Sequence, residues 1–338
     1  MTSLLGLVLI SFFITSIFMV PFIDFLFYLR RRYKKKIPKG YDDTKTPIHN
    51  QLLKGKDVDT PVGGGILLVA LICILTLLFG KWTNSTGQND LYILIYTLLA
   101  FGLIGLLDDL KKILTAFNGK YAGIKGRFIF LFQIIFAVLI ALMLYSVVGL
   151  SNIYISGIGN LVIGYWYIPL AAFIIVSFSN AYNIADGLDG LSTGLLLICL
   201  IAFLALASAT LNLTLASFIG IWLGTLFAFL YFNVYPARIY LGDAGAYAFG
   251  ATLAVVGLLT GKILALTIIG GVYVIIIASS LIQIFSKKFL GRKILPVAPI
   301  HMYFKFLGWE EPKIVFRFWL VGALFAIFGL WLALLLYR

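Results

Sequence analysis

Four short stretches of this chain carry residue types that could do chemistry. The first is LDDLKK, Leu107 to Lys112, where two adjacent carboxylates, Asp108 and Asp109, are followed by Lys112. Adjacent carboxylates repel one another, and the repulsion makes one of them the readier proton acceptor. A hard cation such as Mg²⁺ would relieve the repulsion and would also suit phosphate oxygens. The bland alternative is a solvated helix end. The second stretch is NAYNIADGLDGLSTG, Asn180 to Gly194. Asp186 and Asp189 lie three apart, and on a helix would share a face. Gly187 and Gly190 allow close approach of backbone to a ligand, with N–H groups at the start of the next helix. A polar turn accounts for one Asp-Gly step here, but poorly for two of them with Asn180 and Asn183. The third is NVYPARIYLGDAGAYAFG, Asn233 to Gly250. Asp243 is either a helix N-cap or a metal ligand beside the first pair, and Tyr240 offers an aromatic face to a flat ring. The fourth, Pro296 to Trp319, holds His301 near Lys287, Lys288, Arg292 and Lys293, either a surface histidine or a phosphate contact.

The elements that must position these residues are transmembrane helices. Of the 338 residues, 62% are hydrophobic and 12% charged, about half the charge of a soluble domain. Apolar runs of spanning length recur along the chain and do not alternate as barrel strands do. The expected fold is therefore an all-α polytopic membrane protein in one domain, with helices near 3–29, 62–80, 91–107, 127–149, 166–184, 190–208, 213–232, 244–260, 263–284 and 314–336. The first run is too long for a signal peptide and reads as a retained helix. Ten spans put both termini on one side.

The loops on the other side hold 23 of the 26 Lys and Arg residues. That places those loops in the cytoplasm and both termini outside. The net charge of +13 then reflects topology, and no nucleic-acid partner is expected. Eleven of the 13 acids lie on the same face, although acids are largely indifferent to the positive-inside rule. All four motifs fall there too, which points to a polyanion-plus-metal site. Among the outer loops, Leu150 to Tyr165 fits a short interfacial hairpin or aromatic belt. Cys73 and Cys199 sit in apolar runs and read as buried packing. A secondary transporter is the rival from another class. It would carry its polar residues near mid-membrane, whereas these acids lie at helix ends.

The chain resembles the polyprenyl-phosphate N-acetylhexosamine-1-phosphate transferases over nearly its whole length. DTPVGGG (Asp59 to Gly65), LDDLKK, NAYNIADGLDGL, NVYPARIYLGDAGA and APIHMYFKFLGWEEPKIVFRFW occur in the family's order. The tail GWEEPKIVFRFW is similar to the muramoyl branch rather than the N-acetylglucosamine branch. The resemblance implies ten helices, a Mg²⁺ cofactor and homodimers in the lipid bilayer of the bacterial plasma membrane. It also implies attack of undecaprenyl phosphate on the β-phosphate of UDP-MurNAc-pentapeptide with release of UMP; the alternative donor is UDP-GlcNAc. By position, Asp108, Asp109, Lys112 and His301 match catalytic residues, and Asp243 matches the Mg²⁺ ligand. Asn180, Asn183, Asp186, Asp189, Asn233, Tyr240 and Gln283 match substrate-binding positions, with Asp189 near the uracil. The chain departs from the pattern at Val62, Gly63, Met302, Tyr303 and Lys305, and Asp57 falls near an expected lysine.

Overall fold

The computed structural model describes residues 2–30, 60–79, 87–117, 123–155 and 159–335. Most of the basic loop 30–61, with Asp57, lies outside them. Twelve helices and one small hairpin are described. Chain order is α1 (Thr2–Arg30), α2 (Gly64–Phe79), α3 (Gln88–Phe117), α4 (Gly126–Ser146), β1 (Asn152–Ile155), β2 (Gly159–Val162), α5 (Tyr167–Ala185), α6 (Leu191–Ala209), α7 (Leu213–Asn233), α8 (Asp243–Leu259), α9 (Ile263–Ile269), α10 (Gly271–Phe289), α11 (Ile300–Phe306) and α12 (Glu311–Leu334).

Eight of these are long and apolar enough to cross a membrane, and α2 and α8 are shorter apolar helices. Together they match the ten expected spans. This is an all-α, multi-pass membrane protein. Of the hairpin or aromatic belt expected between α4 and α5, the hairpin is present, with β1 and β2 antiparallel and Ile155 opposite Gly159. Tyr165 and Trp166 beside it are highly exposed, as interfacial aromatics are. Cys73 and Cys199 are both buried.

The centre of the bundle is α8. Every residue from Ala244 to Leu258 is buried, and α8 packs against α2, α3, α5, α6 and α9. Its sequence explains this. DAGAYAFGATLAVVGLL is rich in small residues, which let membrane helices approach backbone to backbone. A Cβ on Gly65 of α2 would stand 2.3 Å from the Gly245 nitrogen, and one on Gly105 of α3 would stand 2.1 Å from the Asp243 carbonyl oxygen. Only glycine fits at these crossings. At 17 residues, or about 26 Å, α8 is shorter than the hydrocarbon core of about 30 Å. Protein rather than lipid surrounds it.

Two expectations are corrected. The third helix does not stop at Leu107 but continues to Phe117, and the added turn brings Lys112 back over Asp108 and against Asp243 at the head of α8. Asp108 stands twenty residues past Gln88, about 30 Å along the axis. The acidic pair is therefore carried by a rigid helix that overshoots the core and not by a loop. The ninth span is broken at Gly270 into α9 and α10. The two adjacent glycines leave room for the rings of Phe178 and Phe325 to pack against the backbone, and α10 then runs on to Phe289.

Candidate active site

Three carboxylates, one ammonium and one amide meet where α3, α5 and α8 converge. On α3, Lys112 lies one helical turn after Asp108, and its Nζ is 2.6 Å from Asp108 Oδ2. The same ammonium also pairs with Asp243 Oδ2. The other oxygen of Asp243 accepts a hydrogen bond from Asn183 Nδ2 at 2.9 Å. Asp243 is thus fixed by one residue from α3 and one from α5. Asp108 Oδ1 accepts from the Ile124 N–H at 2.5 Å, which ties the segment entering α4 to the cluster.

Asp109 has a different task from its neighbour. Its Oδ2 accepts from the Ala244 N–H at 3.1 Å. The N-cap position of α8 is Gly242, with φ 81°, and it supplies no side-chain cap. Of the two readings of Asp243, helix cap or metal ligand, the cap is excluded, because Asp243 is the first residue of the helix. The cap is delivered across the bundle by Asp109, whose charge also suits the helix N-terminus. Asp243 is thereby released to face Lys112 and Asn183.

The charge count bears on a metal. Asp108 and Asp109 are 3% and 8% exposed, and three carboxylates face a single ammonium among the described residues. Charge left unbalanced in a buried site is costly. Hard oxygen donors with excess negative charge suit Mg²⁺, and Asp243 with Asp109 or Asp108 could hold it. Among the described residues no three His, Cys, Asp or Glu form a ready metal cage. A Mg²⁺ site does not require such a cage, since one or two carboxylates can share the ion with water and substrate phosphates.

A second layer adjoins the cluster through α5. Asp186 caps the end of α5, three residues beyond Asn183, and its Oδ1 accepts from Ser192 Oγ. Asp189 Oδ2 accepts from the Ala237 N–H at 3.0 Å, and its own N–H donates to Glu311 Oε1 at 2.7 Å. The two aspartates do not share a helical face as expected. The Asp-Gly steps break the helix into turns, and Gly190 takes φ 75° to start α6. Asp186 therefore turns to α6, and Asp189 to the segment after α7. Asn233 secures that segment from below, accepting from Thr193 Oγ1 and donating to the Ile239 carbonyl.

His301 is not a surface loop residue. It is 1% exposed on the short helix α11, with Nε2 3.2 Å from where a Cβ on Gly187 would stand. Met302 beside it is 2% exposed and belongs to the core, so this position is used for packing.

The remaining expected residues make their contacts elsewhere. Asn180 donates to Gln133 Oε1 on α4 and to the Val176 carbonyl. Gln283 bonds both the N–H and the carbonyl of Leu295 and folds the segment after α10 back on itself. Tyr240 is half-buried, and its backbone pairs with Pro61, Gly63 and Gly64. This gives the TPVGGG stretch its place beside Gly242. Sequence reasoning gave no role to Glu311 or Gly105, and marked Lys305 only as a departure from the family's pattern. Glu311 had a signal, an acid at the head of the last helix; Gly105 had none.

A model of glycosyl transferase family 4 matches residues 91–261, which include the whole carboxylate cluster. Several curated proteins named phospho-N-acetylmuramoyl-pentapeptide-transferase align with nearly all of the chain. The protein from Geobacillus sp. (strain WCH70) is 33% identical over 329 residues, covering 96% of each chain. That from Oceanobacillus iheyensis is 33% identical over 334 residues, 98% of each. That from Chloroflexus aurantiacus (strain ATCC 29366) is 37% identical over 294 residues, 82% of this chain and 78% of its own.

Proposed function

The chain belongs to glycosyl transferase family 4, and we propose that it is the membrane enzyme that transfers phospho-MurNAc-pentapeptide from UDP-MurNAc-pentapeptide to undecaprenyl phosphate. The products are the lipid-linked diphosphate sugar and UMP. The reading places the site at the cytoplasmic face of the bacterial plasma membrane and the enzyme in a homodimer. The observation that carries it is the meeting of Asp108, Asp109, Lys112, Asn183 and Asp243 in a chain whose near full-length relatives bear that enzyme's name.

The chemistry is the approach of one phosphate anion to another, and the protein's task is to position and to balance charge. Asp243, with Asp109 or Asp108, would hold Mg²⁺, which when bound would act as a Lewis acid for the charge developing on the departing UMP. Lys112 holds Asp243 and Asp108 together and keeps an ammonium within reach of the transferred phosphate. Asn183 fixes the second oxygen of Asp243, so the carboxylate enters the reaction already oriented. Asp108 and Asp109, acting as a pair, take the proton from the acceptor phosphate or set its approach. Asp186, Asp189 and His301 form the wall on the nucleotide side.

The test is UMP release by the purified protein with Mg²⁺, polyprenyl phosphate and each UDP-sugar in turn. Turnover of UDP-MurNAc-pentapeptide far above UDP-GlcNAc is expected. Preference for UDP-GlcNAc would move the chain to the other branch of the family.

A further inference from the structure

The sequence places Lys305 where an acid is the usual residue of the resembling family, and the structure shows what it faces. Lys305 Nζ lies 2.6 Å from Glu311 Oε2, with both side chains largely shielded, at 16% and 5% exposure. The other oxygen of Glu311 accepts the Asp189 N–H at 2.7 Å. Asp189 in turn accepts the Ala237 N–H through Oδ2. A continuous chain of charge and hydrogen bonds thus runs from α11 through the first residue of α12 to the 186–190 turn, and on to the segment leading into Tyr240 and Asp243. The same α11 carries His301 against Gly187 at the other end of that turn.

The physical consequence is specific. Glu311 is buried as a carboxylate so that it can hold a backbone N–H, and a buried carboxylate without a counter-charge is strongly disfavoured. Lys305 supplies that charge. It touches none of the cluster Asp108, Asp109, Lys112 and Asp243 by any contact described above, so its influence passes through Glu311. We propose that Lys305 is a positioning residue for the nucleotide side of the site, holding the Asp186–Gly190 turn in place through Glu311 and Asp189. This rests on the reading above only in that it takes this turn to face a uridine nucleotide.

The experiment measures UMP affinity in the purified, full-length protein, which needs no turnover. Four variants are compared with wild type: Lys305→Met, Lys305→Arg, Glu311→Gln and the double variant Lys305→Met/Glu311→Gln. Lys305→Met is expected to weaken UMP binding by about 30-fold, the lower end for removing one member of a shielded, hydrogen-bonded charge pair. Lys305→Arg keeps the charge and should stay near wild type. Glu311→Gln keeps an oxygen for the Asp189 N–H and needs no counter-ion. The double variant should therefore bind UMP about as well as Glu311→Gln alone, and this comparison stands even if Lys305→Met by itself folds poorly. Equal weakening by Lys305→Met in both backgrounds, or unchanged affinity in Lys305→Met, overturns the proposal. A wild-type protein that fails to bind UMP would instead overturn the functional reading.

Discussion

Replacing Gly105 by alanine would place a methyl group 2.1 Å from the Asp243 carbonyl oxygen and 2.4 Å from the Ala244 nitrogen. Both are backbone atoms at the start of α8 and cannot swing aside. Real contacts of this kind stay beyond about 3 Å, so α3 and α8 must part by about 1 Å, a strain of about 1–3 kcal/mol for overpacking. The Asp109–Ala244 hydrogen bond, 3.1 Å long, would stretch to about 4 Å and be lost. Asp243 would move away from Lys112 by a similar amount. A misplacement of about 1 Å at a reacting centre costs on the order of 100-fold in rate. Gly105→Ala should therefore lose about that factor in kcat for UMP release, while the protein still extracts as a folded membrane protein. Gly102→Ala, one turn earlier on α3, is the control. There the added methyl would meet Val69 Cγ1 at 3.4 Å and the Ala244 carbonyl oxygen at 3.8 Å, which is ordinary contact. It should remain within about threefold of wild type, as uncrowded substitutions do. Activity of Gly105→Ala within that same range, or equal damage from both, would refute the idea that this crossing sets the geometry of the site.

Asp243→Asn presents an amide to Mg²⁺, a poorer ligand than a carboxylate, and is expected to abolish turnover in a Mg²⁺ titration of the folded variant; chelation of the wild type should do the same and be reversed by added Mg²⁺. Asp108→Asn and Asp109→Asn should each lower kcat by at least about 100-fold. Asp109→Asn keeps an oxygen for the Ala244 N–H but removes the negative charge from the N-terminus of α8, and should in addition lower stability by about 0.5 kcal/mol; mild effects on kcat in both would reduce the pair to a helix feature. Topology is tested with an impermeant thiol reagent. Lys111→Cys should react only from the cytoplasmic side and Leu211→Cys only from outside, with buried Cys73 and Cys199 silent, and the reverse pattern would remove the site from the nucleotide pool.

Helix number and membrane character were legible in the sequence because burial in lipid demands long apolar runs whatever the neighbours do. The residues that gather in the carboxylate cluster were legible for a related reason. A carboxylate at the edge of a membrane span is costly, so Asp108, Asp109 and Asp243 stand out against an apolar background. Their division of labour was not legible. That Asp109 caps α8 while Asp243 faces Lys112 depends on which helices cross and how closely, and the crossing at Gly105 is set by a missing Cβ that leaves no charge or period to read. The end of α3 was misjudged for a similar reason. Lys111 and Lys112 signal the edge of the hydrocarbon in the sequence, but a helix can continue past that edge wherever protein receives it. The bond from Glu311 to the turn at Asp186–Gly190 joins residues 122 positions apart in the chain. Local spacing carries no information about such pairs, so only the packed bundle decides them.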